Sequence, residues 1–296
     1  MSPRNCDGGA VHRRHQSSFR LGRRVLSVLV SGVLLAGAPI ANLPSASAAA
    51  GPVSQTDYDS ISPGSNSYRY WDEQVKSSTR VQYVEDPAGQ RGIVQRIQVK
   101  AGDTNVFGSS SRNERAEVTS AGNLSGFVDG QTVVMSWGVF IDSSFSSPPK
   151  GWNIISQIHA AGSGNRPPWN LNISGDQADL QMGLFGGGTW IPKGQPDRST
   201  EQTFSLGPLA KNQWHDFVLD VRFGCAGDGH AALWLDGQPL VDAENVTIGY
   251  CGDPGMYWKQ GVYRAANDTD MTLWFSDTYR WANRTDAFAH YGWEKE

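Results

Sequence analysis

The sequence has few cysteines and lacks a long apolar run. Only three of its 296 residues are cysteines, which excludes a dense disulfide scaffold. Its most apolar stretch, residues 25–38, is shorter than the roughly 20 residues of a membrane-spanning helix. No segment recurs at a fixed period, which excludes solenoids and propellers. The chain must therefore fold as an ordinary globular protein.

The first 48 residues resemble an export signal. Five arginines within residues 13–24 precede the apolar stretch, and small residues follow at 46–48. A charged start, a short apolar core and a small-residue exit are typical of a cleaved secretory signal. We predict a signal peptide over residues 1–48, by Sec or twin-arginine export, and one domain over residues 49–296. The mature protein is expected to be secreted, without membrane contact.

Basic residues are scarce once this leader is removed. Subtracting its six basic residues and one acid from the 25 and 29 of the chain leaves 19 and 28, a net charge of −9. Such a surface has no general attraction for nucleic acid or for a dense polyanion. We expect no nucleic-acid partner, a monomer, and local cations for any anionic ligand.

Two cysteines remain after loss of the leader. An even pair in an exported protein favours a disulfide between Cys225 and Cys251, and the alternative is two free buried thiols. A zinc site is not indicated, because no histidine stands at ligand spacing from the pair. We predict no metal in the site and no required cofactor.

Short strands separated by Gly, Pro, Ser and Asn turns run along the mature region. Residues 132–141 are apolar almost throughout, as in a strand buried on both faces. Many such strands without βαβ alternation predict an all-β fold: a concanavalin-like jelly roll of two packed antiparallel sheets with a concave groove. The other expected strands are 91–100, 153–159, 169–174, 180–185, 214–223, 231–236, 257–264 and 271–277, with a weak helix at Asp72–Ser77 and long Gly/Pro loops at 160–168 and 186–200.

Three strands carry polar side chains at every second position, so that each set projects from one face. Arg, Gln, His, Lys and Tyr side chains are the groups needed to remove a proton next to a carboxylate. The sets are Asn113, Arg115 and Glu117; Gln157 and His159, opposite Ile154 and Ile158; and Tyr257, Lys259 and Tyr263.

These segments resemble polysaccharide lyases of the heparin lyase I and glucuronan lyase type, and jelly-roll alginate lyases. Arg115-Ala116-Glu117-Val118 resembles their R-x-E-[LV] strand and Gln157-Ile158-His159 their Q-[IV]-H strand. Residues 257–264 resemble their Y-F-K-x-G-[IV]-Y strand, and the motifs beginning at Trp214 and Trp234 are also similar. The likeness runs over about residues 112–275. It implies an anionic polysaccharide substrate cleaved to unsaturated uronate ends.

The resemblance also leaves room for a structural Ca²⁺, as some relatives carry. Asp228, Asp268 and Asp270 are the candidate ligands, although their spacing fits no EF-hand loop.

Elimination from a uronate requires a specific chemical group for each of its steps. Removing the C5 hydrogen places negative charge beside a carboxylate, so donors aimed at that carboxylate matter most. Arg115 suits this with its charged planar fork, and Gln157 adds a neutral donor. His159 suits the base, and Tyr263 suits the acid, or the base if Lys259 or Arg115 stabilises its phenolate. We predict catalytic roles for Arg115, Gln157, His159 and Tyr263, and substrate binding by Asn113, Glu117, Tyr257, Lys259 and Arg264, with Glu117 orienting Arg115.

Two other functions were weighed on the same fold. A glycoside hydrolase needs two flanking carboxylates, commonly in an E-x-D-x-x-E run, which the sequence lacks. A non-catalytic carbohydrate-binding protein needs no His159 and Tyr263 beside Arg115, although sugars would stack on tryptophans such as Trp137, Trp169, Trp190 and Trp258. The net charge disfavours heparin, so we expect glucuronan or alginate. Glucuronan is preferred because the Tyr263-Arg264 ending of the last motif resembles heparin lyase I and glucuronan lyases more than alginate lyases.

Overall fold

A computed structural model of the chain describes residues 50–64, 70–106, 112–120, 124–147, 151–161, 165–192 and 199–293. The predicted signal peptide lies outside these ranges. All described residues fall within one compact unit. None of the helices in the described ranges has the length and apolar character required to cross a bilayer.

The described secondary structure is almost entirely β. The strands are β1 Ser54–Gln55, β2 Trp71–Val75, β3 Val81–Glu85, β4 Ile93–Val99, β5 Glu114–Ser120, β6 Ser125–Phe127, β7 Thr132–Ile141, β8 Asn153–Ala160, β9 Trp169–Ser174, β10 Asp179–Thr189, β11 Thr200–Pro208, β12 Gln213–Arg222, β13 Gly224–Leu235, β14 Gln238–Cys251, β15 Met256–Arg264, β16 Met271–Phe275 and β17 Tyr279–Trp281. Two 3-10 turns span Tyr58–Ser60 and Ser78–Arg80, and helix α1 spans Arg284–Tyr291.

Two antiparallel sheets pack face to face. The groove sheet has the order β2–β5–β15–β8–β9–β10–β11, and the short β6 also pairs with β15. The outer sheet has the order β3–β4–β16–β7–β12–β13–β14, with β17 beside β7 and β1 beside β17. Strand β10 joins both, because its far end runs parallel to β14. The predicted jelly roll is confirmed.

Large aromatic side chains fill the space between the sheets. Trp137 packs against Trp169 and Trp258 with ring centroids 5.8 and 4.7 Å apart, and all three side chains are 0% exposed. The suggestion that these three rings stack on sugars is therefore wrong. Of the four tryptophans considered for that role, only Trp190 is half-exposed.

Strand β7 is buried on both faces, as its apolar sequence predicts. Its inner face joins the core through Val133 and Met135, while Val134 lies beneath α1 against Phe288. Asn283 caps α1 by accepting a hydrogen bond from the backbone N–H of Asp286 at 3.0 Å. The sequence analysis did not predict this helix.

Two local predictions have definite outcomes. The weak helix predicted at Asp72–Ser77 is wrong, because Trp71–Val75 pairs with β5 and buries Trp71 in the core. The predicted disulfide is confirmed: Cys225 at the start of β13 is bonded to Cys251 at the end of β14, with Cα atoms 5.3 Å apart.

Candidate active site

The three predicted polar sets meet on the groove sheet because their strands are neighbours. Strand β15 lies between β5 and β8, so each of its polar residues faces a partner. Across these ladders Tyr263 is opposite Arg115, Lys259 is opposite Gln157, and Tyr257 is opposite His159.

A buried carboxylate lies at the centre of this cluster. Glu117 accepts hydrogen bonds from Gln157 Nε2 at 2.5 Å and from Lys259 Nζ at 2.6 Å, and Arg115 Nε lies 3.0 Å from its Oε2. Burial raises the pKa of Glu117, but Lys259 and Arg115 hold that pKa below its usual value. Burial lowers the pKa of Lys259 to about 8, against the attraction of Glu117. At neutral pH the two form a buried ion pair.

This network changes three predicted roles. Glu117 orients Arg115, as predicted, but Glu117 and Lys259 are each covered and ion-paired, so the prediction that they bind substrate directly is corrected. Gln157 is also buried, and its amide donates to Glu117. These residues support the site from beneath its surface.

Tyr263 has a donor and a cation beside it. Asn113 Nδ2 donates to the phenol oxygen at 2.8 Å, and the Arg115 guanidinium lies 4.3 Å above the ring. Arg115 is held on its other side by Nη1 donation to Gln74 Oε1 at 3.3 Å. The Tyr263 phenol therefore has an amide donor at its oxygen and a guanidinium over its ring. Asn113, predicted to bind substrate, contacts the phenol of Tyr263.

His159 is held as a neutral imidazole. Its Nδ1 lies 2.7 Å from the Ala160 carbonyl oxygen, so that nitrogen is the donor and Nε2 carries the lone pair. The ring stacks on Tyr257, 5.5 Å away. Burial, and then the positive charge of Lys259, lower the pKa of His159 to about 4. A neutral histidine at physiological pH is the form that a general base requires.

Two further predictions about this sheet are wrong. Arg264 is fully buried and pairs with Glu114 at 2.7 Å, because alternation turns it away from the face that carries Tyr263. It therefore cannot bind substrate. Ile154 lines the groove rather than the core, because a register shift between Ile154 and Ser156 reverses the alternation of β8.

Comparison with known proteins shows the family of the chain. The family model described as "Polysaccharide lyase" matches residues 63–279, which is most of the chain. The chain belongs to the polysaccharide lyase family. The sequence matches no curated protein.

The chain is also similar to solved structures of other lyases. The endo-beta-1,4-glucuronan lyase of the fungus Trichoderma reesei is 16% identical with a TM-score of 0.62, over 80% of this chain and 98% of that chain. The alginate lyase of Klebsiella pneumoniae is 15% identical with a TM-score of 0.49, over 69% and 85%. At 16% identity, the likeness to the glucuronan lyase concerns the fold alone.

A cleft of about 480 Å³ continues the groove of the lyase beyond Tyr263. Trp152 lies on one wall with its ring 4.9 Å from that of Tyr263. This cleft was not predicted from the sequence. Asn170 and Asn172, two positions apart on β9, indicate that this strand has a polar face. Its polar lining consists of Asn170, Asn172, Gln181, Thr203 and the Arg166–Glu201 pair.

Glu114 and Glu117 of the lyase do not form a hydrolase pair. Glu114 and Glu117 lie on opposite faces of β5, and each is bound to a cation, Arg264 and Lys259 respectively. Neither carboxyl is placed to flank a glycosidic bond as the hydrolase mechanism requires.

The possible metal ligands of the lyase lie outside this cluster. Among the described residues, Asp228, Asp268 and Asp270 do not gather into one group of three acids, and a Ca²⁺ held by one of them stays a prediction. His230, Asp242 and Glu244 do come together on the outer sheet, where the histidine already contacts both acids. Their sequence spacing gave no sign of this group.

Proposed function

We propose that this lyase cleaves a weakly charged uronan by β-elimination, with glucuronan as the first candidate and alginate as the second. The observation that carries the proposal is the placement of Arg115 over Tyr263, on the same face as a neutral His159. A carboxylate-binding cation and two proton-transfer groups thus share one groove. We also propose that the chain acts after export.

The reaction requires one carboxylate contact and two proton transfers. Arg115 holds the uronate carboxylate and stabilises the charge that develops when the C5 proton leaves. His159 Nε2 or the Tyr263 phenolate takes that proton, and the electron pair forms the C4–C5 double bond. Tyr263 delivers a proton to O4 as the glycosidic bond breaks. For glucuronate both groups leave from one side of the ring, so Tyr263 alone can do both.

The charges in the groove favour a weakly charged polymer. Lys259 is neutralised by Glu117, and Arg166 is matched by Glu201. Among the described residues, only Arg115 stands over the Tyr263 ring, and it too lies beside Glu117. A densely sulfated chain would need more uncompensated cations than these.

The test is a substrate screen. The purified protein is incubated with glucuronan, alginate, hyaluronan and heparin, and the ultraviolet absorbance of the C4–C5 double bond is followed. We expect unsaturated ends from glucuronan or alginate and the slowest cleavage of heparin. Saturated ends would establish a hydrolase, binding without cleavage would establish a carbohydrate-binding protein, and fastest cleavage of heparin would contradict the charge argument.

A further inference from the structure

The cleft beside Tyr263 is built from the same sheet as the catalytic cluster. Asn170 lies opposite both Gln157 on β8 and Gly183 on β10, and Asn172 lies opposite Gln181. Strands β15, β8, β9 and β10 are consecutive, so Gln181 lies about 14 Å across the sheet from Tyr263. That span extends beyond the reacting sugar and accommodates a neighbouring one.

A glycine keeps the floor of the cleft open. A Cβ atom at Gly183 would lie 2.9 Å from Asn170 Oδ1 and 2.9 Å from the Phe185 ring, which is closer than packing allows. Because residue 183 has no side chain, the buried Asn170 amide remains at the cleft surface. The sequence thus preserves a hollow lined with hydrogen-bonding groups.

The walls carry the chemistry of sugar recognition. Trp152 is 37% exposed and is fixed by its edge contact with Tyr263, so its ring can pack against the C–H face of a pyranose. Asn172 Nδ2 donates to Asn170 Oδ1 at 2.5 Å, and the remaining donor and acceptor positions of Asn170, Asn172 and Gln181 can bond hydroxyl groups. An aromatic face opposite a set of amides suits a polyhydroxylated ring.

The charges of the cleft cancel. Arg166 and Glu201 form a 2.6 Å ion pair at its rim, and they are the charged residues among the described lining. A sulfate group placed here would meet the carboxylate of Glu201 as well as the guanidinium of Arg166. The pair therefore offers no net attraction for an added anion, and like-charge contact with Glu201 opposes one.

We propose that this cleft is a subsite for an unsulfated sugar of the polymer, bound through Trp152 and the amides, and that Glu201 excludes sulfated sugars by neutralising Arg166. The inference rests on the proposed function, because it takes the sugar in the cleft to be the neighbour of the uronate that reacts at Tyr263.

The test compares two polymers that differ only in sulfation. Glucuronan and the same preparation after chemical O-sulfation are digested, and the ratio of their kcat/KM values is measured for each protein. The wild type is expected to favour the unsulfated polymer by at least about tenfold. Glu201→Gln removes the carboxylate charge and should narrow the ratio by about two- to fivefold, the effect of one partly exposed charge.

Two control variants test whether the change in this ratio arises in the cleft. The double variant Arg166→Gln/Glu201→Gln restores a net charge of zero and should return the ratio to that of the wild type. Glu244→Gln removes an exposed acid from the outer sheet and should leave the ratio at the wild-type value. An unchanged ratio in Glu201→Gln, or an equal narrowing in Glu244→Gln, would overturn the proposal.

A binding measurement separates this proposal from the proposed reaction. In the Tyr263→Phe background, unsulfated glucuronan oligosaccharides should change tryptophan fluorescence, and this change should disappear when Trp152→Phe is added. If the wild-type protein cleaves no uronan but this fluorescence change is seen, the proposed reaction is contradicted and the proposed subsite is supported. If uronans are cleaved and Trp152→Phe leaves the signal intact, the subsite fails and the reaction stands.

Discussion

The ammonium of Lys259 lies 2.6 Å from the carboxylate of Glu117, and each side chain is only 2% exposed. Neither charge is tolerable alone at such a position, because the loss of hydration would be uncompensated. Glu117 also contacts Arg115 and accepts a hydrogen bond from Gln157. Arg115, which we propose to hold the substrate carboxylate, is thus supported by an ion pair buried beneath the groove surface.

Removing one member of this pair should be strongly destabilising. Lys259→Met leaves Glu117 charged and buried, and we expect a loss of about 3–5 kcal/mol in the free energy of unfolding, measured by urea denaturation. The double variant Lys259→Met/Glu117→Leu should recover much of that loss. Arg166→Gln, which breaks an exposed pair, serves as control and should cost less than about 1 kcal/mol. Equal losses in the two single variants would contradict the buried pair.

The acid limb of the activity profile should reflect His159. Its pKa of about 4, with Lys259, Glu117 and Arg115 as the charges around it, keeps the ring neutral down to mildly acidic pH. If His159 is the base, kcat/KM should hold through pH 6 and fall only toward pH 4. An NMR titration, with the signal assigned through His159→Gln, checks the group directly. A midpoint near the ordinary histidine value of about 6.5 would contradict this prediction.

The same shift affects stability with a definite sign. Because the folded pKa lies below the unfolded one, the unfolded chain binds the proton first as pH falls. His159 therefore leaves stability unaffected above about pH 6.5 and lowers it progressively between that value and about 4. Unfolding in urea across this window should show a smaller pH dependence in His159→Gln than in the wild type.

Tyr263→Phe should abolish turnover while leaving polymer binding in place. The ring keeps its contacts with Arg115 and Trp152, and only the oxygen that receives the Asn113 hydrogen bond is lost. The loss should fall on kcat, because proton transfer belongs to the transition state. Tyr257→Phe, which keeps the ring stacked on His159, is the matched control and should lose far less. A Tyr263→Phe protein with near-normal kcat would remove this residue from the mechanism.

Gly261 is required where β5 and β15 approach each other. It has φ +128°, and a Cβ there would lie 2.8 Å from the Cα of Glu117 and closer still to the Ala116 carbonyl oxygen. Gly261→Ala should cost more than about 2 kcal/mol of stability and reduce kcat, because the strand carrying Glu117 must shift. Gly188→Ala, at φ +74° in open space, should cost only about 1 kcal/mol. Thermal unfolding of both variants gives the comparison.

The disulfide should make a separate contribution to stability. Cys225 and Cys251 are 26 residues apart, and closing such a loop stabilises a fold by about 3 kcal/mol. The variant Cys225→Ser/Cys251→Ser should therefore have a lower Tm, with the lyase reaction retained because the bond lies outside the Glu117 cluster. Two reactive thiols in the native protein would contradict the prediction.

The sequence predicted the features that follow from the alternation of side chains along one strand. It missed the features that depend on which strands pair with each other. Period two placed Arg115, His159 and Tyr263 on the correct faces, because a strand fixes where its own side chains point. It could not reveal that Lys259 would be covered, since that burial arises where β5 and β15 meet. Nor could it reveal the bulge that turns Ile154 into the groove, because bulges follow from the partner strand.

Elements with weak apolar patterns were also missed. Strand β14 runs from Gln238 to Cys251 with many polar residues, because one of its faces is exposed and its identity depends on pairing with β13. Helix α1 is too short and mixed in sequence to show a clear period, and it is held by packing on the outer sheet. In both cases tertiary contacts determine the structure more than local propensity does.

The shared strand β10 joins the two sheets at one side of the sandwich but not at the other. At one side the two sheets are joined through its ladder with β14, while no ladder joins β2 to β3 at the other side in the described part of the chain. We expect the sandwich to open first on heating at the side where β2 and β3 are not paired. Gln74, which accepts a hydrogen bond from Arg115, lies on β2 at that side. The cleft beside Tyr263 lies near β10, where the two sheets are joined, so the position of Arg115 should vary more with temperature than the shape of the cleft.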